Sequence, residues 1–182
     1  MRVLEELVTD VRLSFTIAED KDAQELAAMR SAAAQSLTVR FGHGHWSGEA
    51  TERGVRASMH TGAVWVARRG RTIVGTFRLA TKKPWAIDKA YFRPVRRPVY
   101  LTDMAVLPSL QHHGIGRRSL QKAVDVAAEW PADSICLDAY DAEAGAGAFY
   151  EKCGFREVGR VVYRGVPLVY YEMLIEHPSS RP

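Results

Sequence analysis

Cysteine is scarce in this chain of 182 residues: Cys136 and Cys153 are the two, each in an apolar stretch. A secreted domain held by disulfides would show several at regular spacing, so both are expected to be reduced and buried. Long uncharged apolar runs are missing too, and no window reaches the length that a membrane-spanning helix needs. Residues 1–10 carry three acidic side chains and none of the apolar core of a secretory signal. These absences predict a cytoplasmic protein without a membrane partner. No GxxxxGK[ST] occurs, which excludes a Walker phosphate loop. No carboxylate or cysteine stands at ligand spacing beside His43 and His45, so no metal is expected.

What is present is an ordinary globular composition, 47% hydrophobic, 25% charged and 9% aromatic. A chain of this length buries roughly 70% of its unfolded surface and holds a core without staples. Disorder, collagen-like repeats and coiled coil are excluded as descriptions of the whole. The balance of 25 Lys and Arg against 21 Asp and Glu leaves +4, which suits an anionic ligand and falls short of a nucleic-acid coat.

Alternation of apolar residues predicts a strand over 11–17, and the acidic cluster Glu19, Asp20 and Asp22 opens a helix that ends near Gln35. A glycine-broken loop, 41–46, leads to a second helix over 47–59. Strands follow at 63–67 and 72–80 around a hairpin turn at Gly70. Residues 82–97 hold six basic side chains against Asp88 alone and read as a connection, with Trp85, Tyr91 and Phe92 pinning it rather than reading nucleic acid. Then come a strand over 99–107, a helix over 114–130, a strand over 134–140, a short alanine-rich helix over 142–152, and two strands over 155–163 and 168–175. The expected fold is α/β (α+β): one mixed, mostly antiparallel twisted sheet of about seven strands flanked by about four helices. The expected organisation is an extension over 1–10, a single domain over 11–176 and a tail over 177–182.

The helix after the strand 99–107 starts oddly. Arg117 and Arg118 occupy its first turn, where the helix dipole disfavours cations. An anion on the free amides between Gln111 and Gly116 would reconcile the arginines with Gly114 and Gly116, and phosphate is the obvious one. The plainer reading is a tight turn with solvated arginines. A dinucleotide-binding (NAD-type) oxidoreductase is the competing functional reading, with Asp138 as the ribose-binding acid, but Ser119 stands where the third glycine belongs.

Two segments carry a family resemblance: Gln111-His-His-Gly114-Ile-Gly116, and Phe149-Tyr150-Glu-Lys-Cys-Gly154-Phe155. The chain resembles the GNAT superfamily of N-acetyltransferases, most strongly over residues 100–155. The resemblance implies acetyl-CoA as cosubstrate, without a metal, and transfer of an acetyl group to a primary amine of a small molecule or peptide by direct attack in a ternary complex. It places the loop Gln111, His112, His113, Gly114, Ile115, Gly116, Arg117 and Arg118 at the pyrophosphate, and Met104, Ala105, Val106 and Phe149 along the pantetheine arm. It makes Tyr150 the acid that protonates the departing thiolate. Glu143 stands where many members have Asn.

An amine of pKa ~10 arrives protonated, so a base is needed. Asp103, a carboxylate in an apolar strand, is the first candidate, and Glu172 the second. The region between the first two helices, with Phe41, His43, His45 and Trp46, is the expected acceptor pocket, Glu172 joining it. A monomer or homodimer is expected, and a non-catalytic acetyl-CoA-binding module is the remaining alternative.

Overall fold

A computed structural model describes residues 12–176. Eleven strands and helices follow in the order β1 (Leu13–Ile17), α1 (Ala23–Phe41), α2 (Glu52–Thr61), β2 (Ala63–Arg69), β3 (Thr72–Ala80), β4 (Pro98–Val106), α3 (Ile115–Glu129), β5 (Ser134–Tyr140), α4 (Gly147–Lys152), β6 (Arg156–Tyr163) and β7 (Val166–Leu174). The strands form one sheet in the order β1-β2-β3-β4-β5-β7-β6, and every neighbouring pair is antiparallel except β4 with β5. With four helices on this sheet, the mixed architecture expected from the sequence is the one found. A dinucleotide fold rests on a largely parallel sheet, so that reading loses its framework. The proposed extension 1–10, Val11 and the tail 177–182 lie outside the described residues.

Strand alternation sends side chains to two cores. Phe77, Leu79, Leu101, Ile135 and Leu137 face α3, whose Leu120, Ala123, Val126 and Ala127 recur at three- and four-residue steps. Val64, Val66 and Ile73 face Leu26 and Met29 of α1 and Val55 of α2 on the opposite side. On that side Ile87 and Phe92, from the basic segment, pack over Tyr100, Cys136 and Tyr170. Each fully buried Leu, Val or Phe stabilises the fold by roughly 1.5–3 kcal/mol relative to exposure, so the two cores fix the sheet between its layers.

Three elements depart from the sequence reading. α1 runs on from Gln35 to Phe41, its last turns joined by the Thr38 hydroxyl donating to the Ala34 carbonyl at 2.9 Å, and it stops where Gly42 takes φ +80°. α2 starts at Glu52 rather than at 47, because the Thr51 side chain accepts from the Gly54 N–H at 3.1 Å and sets the helix start there. α4 begins only at Gly147. The alanines before it form a turn, closed by Gly145 N–H donating to the Ala142 carbonyl at 2.8 Å. Cys136 is buried, and burial pushes its thiol up to about 11, whereas Cys153 is only half-buried.

Candidate active site

The strands β4 and β5 pair over three positions, Pro98 with Ser134, Val99 with Ile135 and Tyr100 with Cys136, and then part. A bulge drives them apart. Between the pairs Thr102 with Arg78 and Ala105 with Thr76, β4 carries one residue more than β3, and Asp103 there adopts φ +54°. The extra residue bends β4 and turns its last residues away from β5.

The wedge opens into a cavity of about 570 Å³. Met104, Ala105 and Val106 of β4 form one wall, and Ala144, Gly145, Ala146, Phe149 and Tyr150 the other. Gln111, His112, Gly114, Gly116 and Arg117 close one end. The later half of α1 contributes Ala33, Leu37, Arg40 and Phe41.

The closed end is the start of α3. Gly114 takes the left-handed φ +77° at the N-cap, no side chain caps the helix, and no acidic residue lies in its first turn. Its first backbone bond is Arg118 N–H to the Gly114 carbonyl at 3.0 Å, which leaves the amides of Ile115, Gly116 and Arg117 directed out of the helix. Gly116 sits against the Phe149 ring, which a Cβ there would touch at 3.4 Å. Free amides, a dipole end and Arg117 together fit a phosphate diester chain. Arg40, on the facing wall with its guanidinium stacked 4.8 Å over the Phe41 ring, adds a second cation.

Tyr150 reaches the cavity from α4. Its ring packs edge-on against Phe149 and Phe155 and tilted against Tyr171, leaving 8% of the residue exposed. Among the described residues no group hydrogen-bonds its hydroxyl. Burial, with the charge of Asp138 behind it, pushes the phenol well above its ordinary range, so it is fully protonated at neutral pH.

Of the residues singled out in the sequence, the cavity brings together Tyr150, Met104, Ala105, Val106, Gln111, His112, Gly114, Gly116, Arg117, Phe149 and Phe41. Others stand elsewhere. Ile115 points inward, packed with Leu13, Ala67 and Val74. His113 binds its ring Nδ1 to the Gln111 carbonyl at 2.7 Å, and Arg118 is exposed behind it.

Asp103 lies beside the cavity, with Arg30 of α1 at 3.8 Å. The 42–46 loop sits over the end of β5: the Tyr140 hydroxyl donates to the His45 carbonyl at 3.0 Å and Trp46 packs edge-on against Tyr140 at 6.0 Å. His43, His45 and Trp46 are therefore next to the wedge without lining the cavity.

Glu172 corrects its sequence reading as a base or substrate contact. It is 2% exposed, accepts from the Arg93 N–H at 3.0 Å and pairs with Arg156 at 3.5 Å, so it straps the basic segment to the sheet.

The sequence reading missed Ala33 as a lining residue, and Leu37 and Arg40, which follow from the extra length of α1, and it gave Asp138 no part in amine chemistry. Among the described residues no group of three or more His, Cys, Asp or Glu could hold a metal, and no helix is long and apolar enough to cross a membrane.

Comparison with known proteins agrees with this geometry. Residues 26–155 match the model of the acetyltransferase (GNAT) family. Among solved structures, the chain is similar to an N-acetyltransferase from Staphylococcus aureus Mu50, with 16% identity, TM-score 0.68, and coverage of 91% of this chain and 99% of that one. It is similar to the ribosomal-protein-S18-alanine N-acetyltransferase of Escherichia coli, with 14% identity, TM-score 0.68 and coverage of 94% and 99%. A third similar structure is yncA of Salmonella typhimurium, solved with its cofactor acetyl-CoA, with 15% identity, TM-score 0.64 and coverage of 92% and 96%. The matched family model spans the wedge, the start of α3 and Tyr150, and the chain belongs to the GNAT family of acetyltransferases, with acetyl-CoA as its cosubstrate.

Proposed function

We propose that this acetyltransferase moves the acetyl group of acetyl-CoA onto a primary amine of a small molecule or peptide, by direct attack with both substrates bound. The observation that carries the reading is a cavity whose lining runs from the start of α3 through the β4–β5 wedge to Tyr150. When bound, acetyl-CoA supplies an acyl group already activated as a thioester.

The chain's own groups do the rest. The amides of Ile115 and Gly116, with Arg117, hold the pyrophosphate, and Arg40 meets it from α1. The backbone of Met104, Ala105 and Val106, freed from β5 by the bulge, aligns the pantetheine arm and offers N–H donors to the carbonyl oxygen as charge develops there. Tyr150 donates its proton toward the leaving sulfur. Burial keeps it protonated at neutral pH, so the proton is in place when the thiolate departs. Asp103, paired with Arg30, holds the bulge in place.

Acetyl-CoA at about a hundred times its Kd is expected to stabilise the native state by roughly 2.7 kcal/mol, which for a chain of this size raises Tm by about 5–10 °C. NAD and ATP raise it far less. A chain stabilised by NAD and not by acetyl-CoA contradicts the reading. Tyr150→Phe is expected to bind acetyl-CoA as before and to lower kcat by about 10²-fold; unchanged turnover removes Tyr150 from the acid role.

A further inference from the structure

On the α1 and α2 side of the sheet, two carboxylates flank the wedge, and their surroundings differ. Asp103 on β4 has Arg30 at 3.8 Å. Asp138 on β5 is two residues past Cys136, the last residue of that strand paired with β4. It shares the face of Cys136, because Leu137 and Ala139 turn into the opposite core. It is half-buried, and Tyr170 of β7 is its partner across the strands.

Asp22, Asp133, Asp141 and Glu172 each hold an arginine. Asp138 holds none: among the described residues no cation pairs with its side chain, which accepts only from its own backbone N–H. The titratable groups near it are phenols, Tyr140 on its own strand, Tyr170 beside it on β7 and Tyr150 in the core on the other face, each made harder to ionise by burial and further by its charge. Cys136, next along the same face, is likewise neutral at pH 7 because burial raises its thiol.

A carboxylate half-buried without a cation costs stability, and nothing in the packing requires one here. Burial raises its pKa above the ordinary carboxylate range, which makes it a stronger base than a solvated aspartate. It also stands at the mouth of the wedge, on the side where the 42–46 loop is tied down over Tyr140.

We propose that Asp138 receives the acceptor's ammonium group and takes its proton, so that the acceptor is an alkylamine of ordinary basicity that arrives charged. This rests on the transfer reading above and adds to it the base and the acceptor class. The step balances as follows. Asp138 removes one proton from the ammonium, freeing the nitrogen lone pair to form the C–N bond while the C–S bond breaks and sulfur keeps the bonding pair. Tyr150 gives its proton to sulfur and regains one from the new amide nitrogen, and Asp138 releases its proton to solvent.

The test uses the full chain with acetyl-CoA and spermidine, tyramine or trialanine as alkylamines, and hydroxylamine as a weakly basic amine that arrives neutral. Asp138→Asn is expected to lower kcat/KM for the alkylamines by about 10²- to 10³-fold, to abolish the acidic limb of the pH profile, and to spare hydroxylamine. It should leave the Kd of acetyl-CoA unchanged, with Asp138→Glu restoring part of the rate and Asp103→Asn retaining the limb.

A thermal measurement reads Asp138 without any acceptor. Its folded pKa is raised, so its ionisation destabilises the native state increasingly as pH rises through the window between the ordinary and the raised value. Asp138→Asn therefore raises Tm at pH 7, and the gain vanishes below the ordinary carboxylate range. A fall in Tm at pH 7, or an unchanged pH limb, overturns the assignment. A wild-type chain that binds no acetyl-CoA, or transfers to no amine, overturns the transfer reading itself, and the assignment with it.

Discussion

Asp22 and Asp138 show how differently one residue type serves in this molecule. Asp22 is 5% exposed where α1 begins, its carboxylate 2.7 Å from Arg68 of β2 and accepting from the Glu19 N–H at 2.9 Å. Burial alone would raise its pKa, but the Glu19 amide and the Arg68 guanidinium outweigh it and hold the carboxyl below its ordinary range. Its contribution to stability is therefore present at neutral pH and is lost as pH falls through the depressed folded value. Asp22→Asn is expected to destabilise the fold by about 3 kcal/mol at pH 7, by leaving Arg68 without its partner, and by much less at acid pH. Urea denaturation at the two pH values checks it. Asp138, with no such partner, is expected to respond in the opposite direction. The sequence shows both as aspartates near strands and helices. What separates them is which side chains the sheet brings alongside, and that depends on contacts distant in the chain.

Among the elements, the two that the sequence defines best are those whose chemistry is local. Gln111 to Gly116 and Phe149 to Phe155 are contiguous runs, and Gln111, His112, Gly114 and Gly116 of the first and Phe149 and Tyr150 of the second line the cavity. α1 is harder to read past Gln35 because its later half buries no continuous apolar face; it overhangs the wedge and its side chains are half-exposed. The turn before α4 is set by a close approach that no propensity reveals. A Cβ on Gly145 would lie 1.9 Å from the Tyr140 carbonyl oxygen, which is backbone and cannot yield cheaply. Gly145→Ala is expected to displace the turn, destabilising the chain by about 1–3 kcal/mol and weakening acetyl-CoA by about tenfold. Calorimetric titration of the variant checks it. An affinity equal to wild type would remove that turn from the cofactor wall.

For the whole molecule, the formal charge of +4 divides between two places with different consequences. Arg117, and Arg40 facing it from α1, both line the cavity. The basic segment 82–97 is instead spent on the fold: Lys83 donates to the carbonyls of Pro84 and Ile87, Arg97 pairs with Asp133, and Glu172 takes the Arg93 amide. Its Trp85 remains 84% exposed, beyond those ties. The mixed, mostly antiparallel sheet of seven strands with four helices was legible in the sequence, whereas the strand order and the bulge at Asp103 arise only when the strands assemble. The central claim is that this wedge joins an acetyl group to an amine. Mass spectrometry of spermidine, tyramine and trialanine after incubation with the chain and acetyl-CoA tests it most directly. The account predicts an amine product heavier by one acetyl group, formed together with free CoA thiol and suppressed in Tyr150→Phe. Free thiol released without any acetylated amine would contradict it.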